Sequence, residues 1–123
     1  MTHPTHLTTH ILDASSGEPA AGVGVVLTAA SGESFVAEVP GAIIDHGTTD
    51  ADGRLALGPE RLAAGDYTLT FLTGEYFSAR GIATFHPFIT VHFSVEVADD
   101  GSSRHYHVPL LLSPFAYSTY RGS

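Results

Sequence analysis

The 123-residue sequence predicts an all-β fold, a β-sandwich of about seven or eight short strands with one short helix. Apolar and polar residues alternate along most of the chain, which is the two-residue period of strands that bury one face. Clusters of Gly, Asp and Ser interrupt this alternation at short intervals, as turns between strands do. The length fits one domain with one hydrophobic core, and we expect residues 1–123 to form it.

The first half of the chain contains four predicted strands. The first covers 7–12, where His10 shares one face with Thr8 and Leu12. It runs into a Ser-Ser-Gly turn cluster at 15–17. The other three candidates are 23–27, 43–49 and 54–57, with an Asp-Gly turn between the last two.

The second half of the chain contains the clearest alternation. Over 89–97, apolar residues occupy every odd position from Ile89 to Val97, while His92 and its polar neighbours lie on the opposite face. Turn residues bound this segment, so it is predicted to be a strand. The other predicted strands of this half are 67–71, 105–112 and 116–120.

Two segments do not follow the strand period. Gly74–Gly81 lacks alternation and ends on glycine, which predicts a helix of about two turns with Thr73 as its N-cap. Ser34–Pro40 fits either a short strand or an inserted loop, and the structure of 30–44 is left open. No repeat, linker or low-complexity tract divides the chain.

Composition excludes several kinds of chemistry. The chain has no Cys, which excludes thiol nucleophiles and thiolate metal sites, and its five basic residues are all Arg, which excludes a Schiff-base lysine. The formal net charge of −8 repels a phosphate backbone, so we expect no nucleic-acid partner. With no apolar run long enough for a membrane span and no signal-peptide pattern, we expect a cytoplasmic protein without a membrane partner.

Histidine is the residue type that points to a site, since the chain has eight. Most are expected to be ordinary, such as His6 in a frayed start and His92 on a polar strand face. His105 and His107 differ, because residues i and i+2 of a strand share a face, while Tyr106 faces the core. Both imidazoles are therefore presented away from the core on a rigid strand. His-x-His is also a metal-ligand spacing, so a zinc site is a second interpretation.

The C-terminal residues carry an unusual pattern. Residues 117–120 are aromatic and β-prone, whereas the ends of most chains are polar and frayed. We therefore expect this tail to dock as a strand. His10 and Arg54, taken alone, are typical of an ordinary strand histidine and a solvated turn arginine.

Six segments of the chain together resemble the 5-hydroxyisourate hydrolases, the transthyretin-like enzymes of urate breakdown. They cover nearly the whole chain, and the Tyr-Arg-Gly-Ser motif at its end is highly specific, whereas 30–44 departs from the family pattern. The segments are Thr9-His-Ile-Leu-Asp13, Gly17-Glu-Pro-Ala-Ala-Gly-Val23, Thr49-Asp-Ala-Asp-Gly-Arg54, Tyr76-Phe77, His105-Tyr-His-Val-Pro-Leu-Leu-Leu-Ser-Pro114 and Tyr117-Ser-Thr-Tyr-Arg-Gly-Ser123.

The resemblance implies a two-sheet transthyretin-like β-sandwich with one short helix. It also implies a homotetramer, a dimer of dimers, with its sites in a channel where the dimers meet. The implied activity is hydrolysis of 5-hydroxyisourate to 2-oxo-4-hydroxy-4-carboxy-5-ureidoimidazoline in purine catabolism, without a cofactor or metal. The catalytic residues that it implies are His10, Arg54, His107 and Ser123, and the substrate-binding residues are His105, Tyr120, Arg121 and Gly122.

The residue types suit that reaction. The chain has no Gly-x-Ser-x-Gly elbow and no Cys, so water is the simplest nucleophile. A histidine near its ordinary pKa is an efficient general base at neutral pH, and the arginine fork of Arg54 can hold the carbonyl edges of a planar ring. His10 and His107 share the base and orienting roles, and which of them takes the proton stays open.

Two alternatives accompany this hypothesis. The first is a transthyretin-like carrier of small molecules without catalysis, which would need an apolar channel instead of one carrying Arg54 and paired histidines. The second is zinc captured by His10, His105 and His107, if their rings converge.

Overall fold

The computed structural model describes residues 6–29 and 43–122, and in these ranges it confirms an all-β fold with one helix. Each predicted strand outside 30–42 is present, and the two-residue strand β2 is added to them. Ser34–Pro40, His3 and Ser123 lie outside the described residues. In chain order the elements are β1 Leu7–Asp13, β2 Glu18–Pro19, β3 Gly24–Ala29, β4 Ile43–Thr48, β5 Arg54–Leu57, β6 Gly65–Phe71, α1 Thr73–Ala79, β7 Ile89–Val95, β8 Tyr106–Leu112 and β9 Tyr117–Thr119.

The strands form two sheets. One has the order β2-β1-β8-β9, and β5 pairs with β1 on the same side as β2. The other has the order β4-β3-β6-β7. Every pairing between these strands is antiparallel except that of β1 with β8, which is parallel and joins the start of the chain to its last third.

The core lies between the inward faces of the two sheets. Leu7 and Ile11 of β1, Leu27 of β3, Leu69 of β6 and Leu110 of β8 are all fully buried. Burial of a side chain of this size stabilises the fold by roughly 1.5–3 kcal/mol. The outward residues of β1 are only half-buried, so the predicted two-residue period is observed directly.

Helix α1 is fixed by a backbone bond of its cap residue and by a buried tyrosine, without a side-chain cap. The cap position is Leu72, without a side-chain hydrogen bond, and Thr73 is the first helical residue, so the prediction of Thr73 as the N-cap was wrong. The Leu72 amide donates to the Gly24 carbonyl at 2.8 Å, and this bond extends the pairing of β6 with β3 into the cap position. The buried Tyr76 hydroxyl donates to Asp13 Oδ2 at 2.9 Å and ties the helix to the end of β1.

His6 corrects the expectation of a frayed start at this position. Its ring is buried, Nδ1 accepts the Leu62 amide proton at 2.8 Å, and Nε2 lies 2.9 Å from the Arg104 carbonyl, to which it donates. The Tyr106 amide donates to the His6 carbonyl at 2.8 Å, which extends the pairing of β1 and β8. These partners are distant in sequence, so no local pattern could indicate them.

Candidate active site

The pairing of β1 with β5 and β8 brings three of the four predicted catalytic side chains, His10, Arg54 and His107, to one surface. His10 lies opposite Arg54 of β5, and Thr8 lies opposite His107 of β8. Since Thr8 and His10 alternate with the buried Leu7, Thr9 and Ile11, they lie on the outer face of the sheet. The four side chains therefore occupy adjacent positions on that face, which we call the outer-face cluster: Thr8, His10, Arg54 and His107.

A tight turn before β5 sets the position of Arg54. The Asp50 carboxylate accepts the backbone N–H groups of Asp52 and Arg54, each at 2.9 Å. Gly53 has φ +74° and packs against the backbone of Ile11, where a side chain would meet the Ile11 carbonyl oxygen at 2.5 Å. The Asp-Gly turn predicted at 52–53 is therefore present, and its geometry places Arg54 as the first residue of β5.

Alternation along β8 separates its two faces as predicted. Tyr106, Val108 and Leu110 are buried on the core side, whereas His107 is half-buried and Leu111 is exposed. Pro109 is buried although it belongs to the outer face. The outer face of β8 is therefore more covered at its centre than the sequence suggested.

The hydroxyl of Thr8 joins two histidines of this surface. Its Oγ1 lies 2.8 Å from His105 Nε2 and 2.9 Å from His107 Nδ1. His105 immediately precedes β8 and is exposed. The two imidazoles predicted to share a face are thus brought together through one hydroxyl of β1.

A cavity of about 430 Å³ opens over this surface. Polar side chains contribute much of its wall, and the ionisable groups among them are Asp50, Arg54, His105 and His107. Its lining includes Thr8, Asp50, Arg54, Ala56, His105 and His107. A cavity of this volume is suited to a small polar molecule.

The surroundings of His107 favour its neutral form. Burial lowers its pKa below the ordinary value of 6.5, and electrostatic interactions with His10, His105 and Arg54 lower the pKa further, while a hydrogen bond with the Thr8 backbone acts in the opposite direction. The lowered pKa favours the neutral imidazole at pH 7, which is the form able to accept a proton.

The C-terminal residues reach this surface only in part. The tail docks as predicted, with β9 antiparallel to β8, and the Gly122 amide donates to the His107 carbonyl at 2.8 Å. Tyr120 is exposed. The Arg121 guanidinium lies 5.0 Å from the centre of the Tyr106 ring, on the core side of β8 and away from Arg54. Ser123 lies outside the described residues.

A second, smaller cavity lies on the other side of β8. It has a volume of about 260 Å³ and opens between the edge strands of the two sheets. Its walls are more apolar than those of the first cavity. Tyr120 and Arg121 belong to this lining, together with His92, Phe93 and Tyr106.

Two residues of the site were not predicted from the sequence. Thr8 was placed on the face of His10 but was not considered as a partner of the histidines, and Asp50 was treated only as part of a turn. The signal for Thr8 is its i, i+2 relation to His10, and that for Asp50 is its place four residues before Arg54. Neither signal identifies the partner strand.

Residues 6–29 and 43–122 contain neither a metal-binding cluster nor a membrane-spanning helix. Within these ranges, no three side chains of His, Asp or Glu are arranged to hold a metal ion. The described helix is too short to cross a bilayer.

Comparisons with known proteins identify the family of the chain. The model of the HIUase/Transthyretin family matches residues 7–122. The 5-hydroxyisourate hydrolase of Caulobacter vibrioides is 46% identical over 120 residues, which cover 95% of this chain and 97% of that protein.

Solved structures of the same family superpose on this chain. The Klebsiella pneumoniae 5-hydroxyisourate hydrolase superposes with a TM-score of 0.77 at 35% identity, over 95% of this chain and 98% of that one. Sea bream transthyretin in complex with thyroxine gives a TM-score of 0.78 at 31% identity, over 94% and 93% of the two chains. The two-sheet architecture, the residues matched and the identity over nearly the full length show that this chain belongs to the HIUase/transthyretin family.

Proposed function

We propose that this chain hydrolyses 5-hydroxyisourate to 2-oxo-4-hydroxy-4-carboxy-5-ureidoimidazoline, a step of urate breakdown. The observation that carries the proposal is the half-buried His107, whose surroundings lower its pKa, on the wall of a polar cavity that Arg54 and His105 also line. The relative from Caulobacter vibrioides that matches over nearly its full length is a 5-hydroxyisourate hydrolase. A carrier has no need of a proton acceptor placed in this way.

The proposed reaction begins with water. His107 accepts a proton from a water molecule as the oxygen forms a bond to the ring carbonyl carbon of the substrate. The electron pair of the C=O bond moves to its oxygen, and Arg54 stabilises the resulting negative charge. As the carbonyl re-forms, the ring C–N bond breaks, and the proton held by His107 passes to the leaving nitrogen. The products are a carboxylic acid, which releases its proton to the solvent, and an N–H group, and no bond to the protein forms.

The remaining residues have supporting roles in this proposal. His10, beside Arg54 in the sheet, orients the water or the ring. His105, Tyr120, Arg121 and Gly122 contribute to the substrate pocket, and the Ser123 hydroxyl completes it. Of these, His105 lines the cavity together with Arg54 and His107, and the Gly122 backbone contacts His107, whereas Tyr120 and Arg121 line the second cavity.

We also propose that the working form is a cytoplasmic homotetramer, a dimer of dimers. Strands β7 and β9 lie at the ends of their sheets and offer edges for pairing with a second copy. Phe85 and Phe115 are exposed by 72% and 67%, and contact with another copy would cover them. Leu111, on the face of His107, is 38% exposed and lies where a second dimer would close the channel.

One assay tests the activity. Fresh 5-hydroxyisourate decays spontaneously with a change in absorbance, and the purified protein is expected to accelerate this decay. Arg54→Met is expected to lower kcat/KM by about 10²–10³-fold, the usual loss on removal of one oxyanion donor. Arg61→Met, which removes an exposed arginine bonded to the Gly101 carbonyl, is the matched control and should retain the parent activity.

The alternative is a carrier without catalysis. Transthyretin, which shares the fold, has been solved with thyroxine bound, so a small-molecule carrier is a reasonable competitor. An intact protein that fails to accelerate the decay and binds thyroxine in a titration would support the carrier and overturn the hydrolase.

A further inference from the structure

The Thr8 hydroxyl lies between two imidazole nitrogens. Oγ1 is 2.8 Å from His105 Nε2 and 2.9 Å from His107 Nδ1, so both are within hydrogen-bond distance. A hydroxyl has one proton to donate and two lone pairs to accept with. It cannot donate to two unprotonated nitrogens at once. At least one of the two rings must therefore present an N–H group to Thr8.

The direction of these bonds follows from the proton transfer. Once His107 has accepted a proton, both of its ring nitrogens carry hydrogen, and Nδ1 needs an acceptor. Thr8 Oγ1 is in place for this role at 2.9 Å, and its own proton is then directed at His105 Nε2. If the same arrangement exists before the reaction, no group has to reorient when the proton moves. Such preorganisation lowers the barrier.

We propose that Thr8 is a positioning residue that holds His107 in the tautomer protonated at Nδ1, with the lone pair on Nε2. In this arrangement the His107 Nδ1–H donates to Thr8 Oγ1, and the Thr8 hydroxyl donates to His105 Nε2. The inference rests on the proposed hydrolysis for its use, but the tautomer itself is a property of the protein alone.

The position of Thr8 is suited to this task. It lies on β1 directly opposite His107 in the parallel pairing of β1 and β8, and its side chain is half-buried. A rigid strand limits the movement of the hydroxyl more than a loop would. The proposal also gives His105 a role, because its Nε2 accepts the hydrogen bond that the Thr8 hydroxyl donates.

The tautomer can be measured without substrate. Nitrogen-15 NMR of histidine-labelled protein distinguishes rings protonated at Nδ1 from those protonated at Nε2, and His105→Asn and His107→Asn variants assign the signals. We expect His107 of the parent protein to be protonated at Nδ1. In Thr8→Val, which keeps a β-branched side chain on the strand, we expect a shift towards the Nε2-protonated form, and Thr8→Ser should restore the parent signal.

The second readout is catalysis. Thr8→Val is expected to lower kcat by at least about tenfold, with a limit near the roughly 10⁴-fold cost of a wrong histidine tautomer in a serine protease triad. KM should change little, and Thr8→Ser should recover most of the rate. Thr68→Val is the matched control, because it removes a hydroxyl that faces His92 at 3.5 Å in the other sheet. It should leave both the His107 signal and kcat unchanged.

Each outcome decides the proposal. A parent His107 protonated at Nε2, or a folded Thr8→Val protein with an unchanged His107 signal, overturns it even if Thr8→Val is slow. A changed tautomer with an unchanged kcat overturns the positioning role and leaves the hydrolase intact. If the parent protein does not hydrolyse 5-hydroxyisourate, the proposed function fails, and the NMR comparison alone decides whether Thr8 sets the tautomer. Thermal unfolding of each variant confirms that the comparison is made on folded protein.

Discussion

Gly122 lies directly against the imidazole of His107. Its amide donates to the His107 carbonyl at 2.8 Å, and a methyl group at position 122 would collide with the ring, with Cγ only 3.1 Å away. The tail of the chain therefore limits where the imidazole can lie. The glycine is required here by the space beside the ring.

Gly122→Ala should displace the His107 ring. Misplacement of a catalytic group by about 1 Å can cost about 10²-fold in rate, so we expect kcat to fall by about that factor. The thermal midpoint should stay close to that of the parent, because the tail adds little to the core. Steady-state assays and thermal unfolding make the comparison. Parent kinetics in Gly122→Ala would show that the ring tolerates the added methyl group.

The pKa of His107 should be visible in the pH profile. Burial and electrostatic interactions with His10, His105 and Arg54 lower this pKa, so the acid limb of kcat/KM should have its midpoint below 6.5. The unfolded chain binds this proton more readily than the folded one. Stability should therefore fall as the pH decreases from about 6.5 through the folded-state pKa.

An NMR titration of His107 measures the same quantity directly. His105→Asn removes one of the electrostatic interactions that lower the pKa of His107, so the His107 midpoint should move up towards 6.5. A parent midpoint at or above 6.5 would contradict the assignment.

Chelation should leave the activity intact. The proposed reaction uses neutral, metal-free imidazoles, so protein treated with EDTA should keep its rate. Added zinc should inhibit by binding His10, His105 or His107. Activity that is lost with EDTA and restored by zinc would instead indicate a metal-dependent hydrolase.

Leu111 tests the proposed assembly. Leu111→Asp places a charge on the exposed outer face of β8, where a second dimer is proposed to pack. We expect light scattering to change from four chains to two, with activity lost in parallel. Leu111→Met, which preserves an apolar side chain, should leave both unchanged. Fully active monomers of the parent protein would contradict a site shared between dimers.

The bond between Tyr76 and Asp13 should stabilise the fold in a pH-dependent way. Burial acts to raise the pKa of Asp13, but hydrogen bonds from Ser15, Tyr76 and Ser16 outweigh it, so the pKa lies below 3.8. Tyr76→Phe should cost about 1.5–3 kcal/mol at pH 7 in urea unfolding. Because the folded-state pKa is depressed, this contribution is present above pH 3.8 and is lost as the pH falls through the folded value. A cost that persists in strong acid would exclude the carboxylate as the partner.

Local patterns predicted the faces of the strands but not their partners. The two-residue period placed His105 and His107 on one side of β8, and the Asp-Gly turn placed Arg54 at the start of a strand. Both features depend on neighbours in the sequence. The resemblance to a family, and not the period, brought His10 into the same site.

Long-range pairing explains what was missed. Thr8 contacts His105 and His107 across 97 and 99 residues, and no local signal specifies that β1 and β8 are parallel neighbours. His6 was mistaken for a frayed residue for the same reason, since its partners belong to distant segments. The error at Thr73 is different in kind, because the sheet pairing of Leu72 occupies the cap position that propensity assigned to a threonine.

The parallel pairing of β1 with β8 also has a consequence for biosynthesis. During translation β1 emerges first, but its central neighbour is made only after residue 106, so the first strand leaves the ribosome long before its partner exists. Closing so long a loop is slow compared with forming a hairpin such as β8–β9. The histidines on β1 and β8 meet only when these two strands pair. A nascent or truncated chain that lacks β8 therefore cannot acquire the site, even if the rest of that chain has folded.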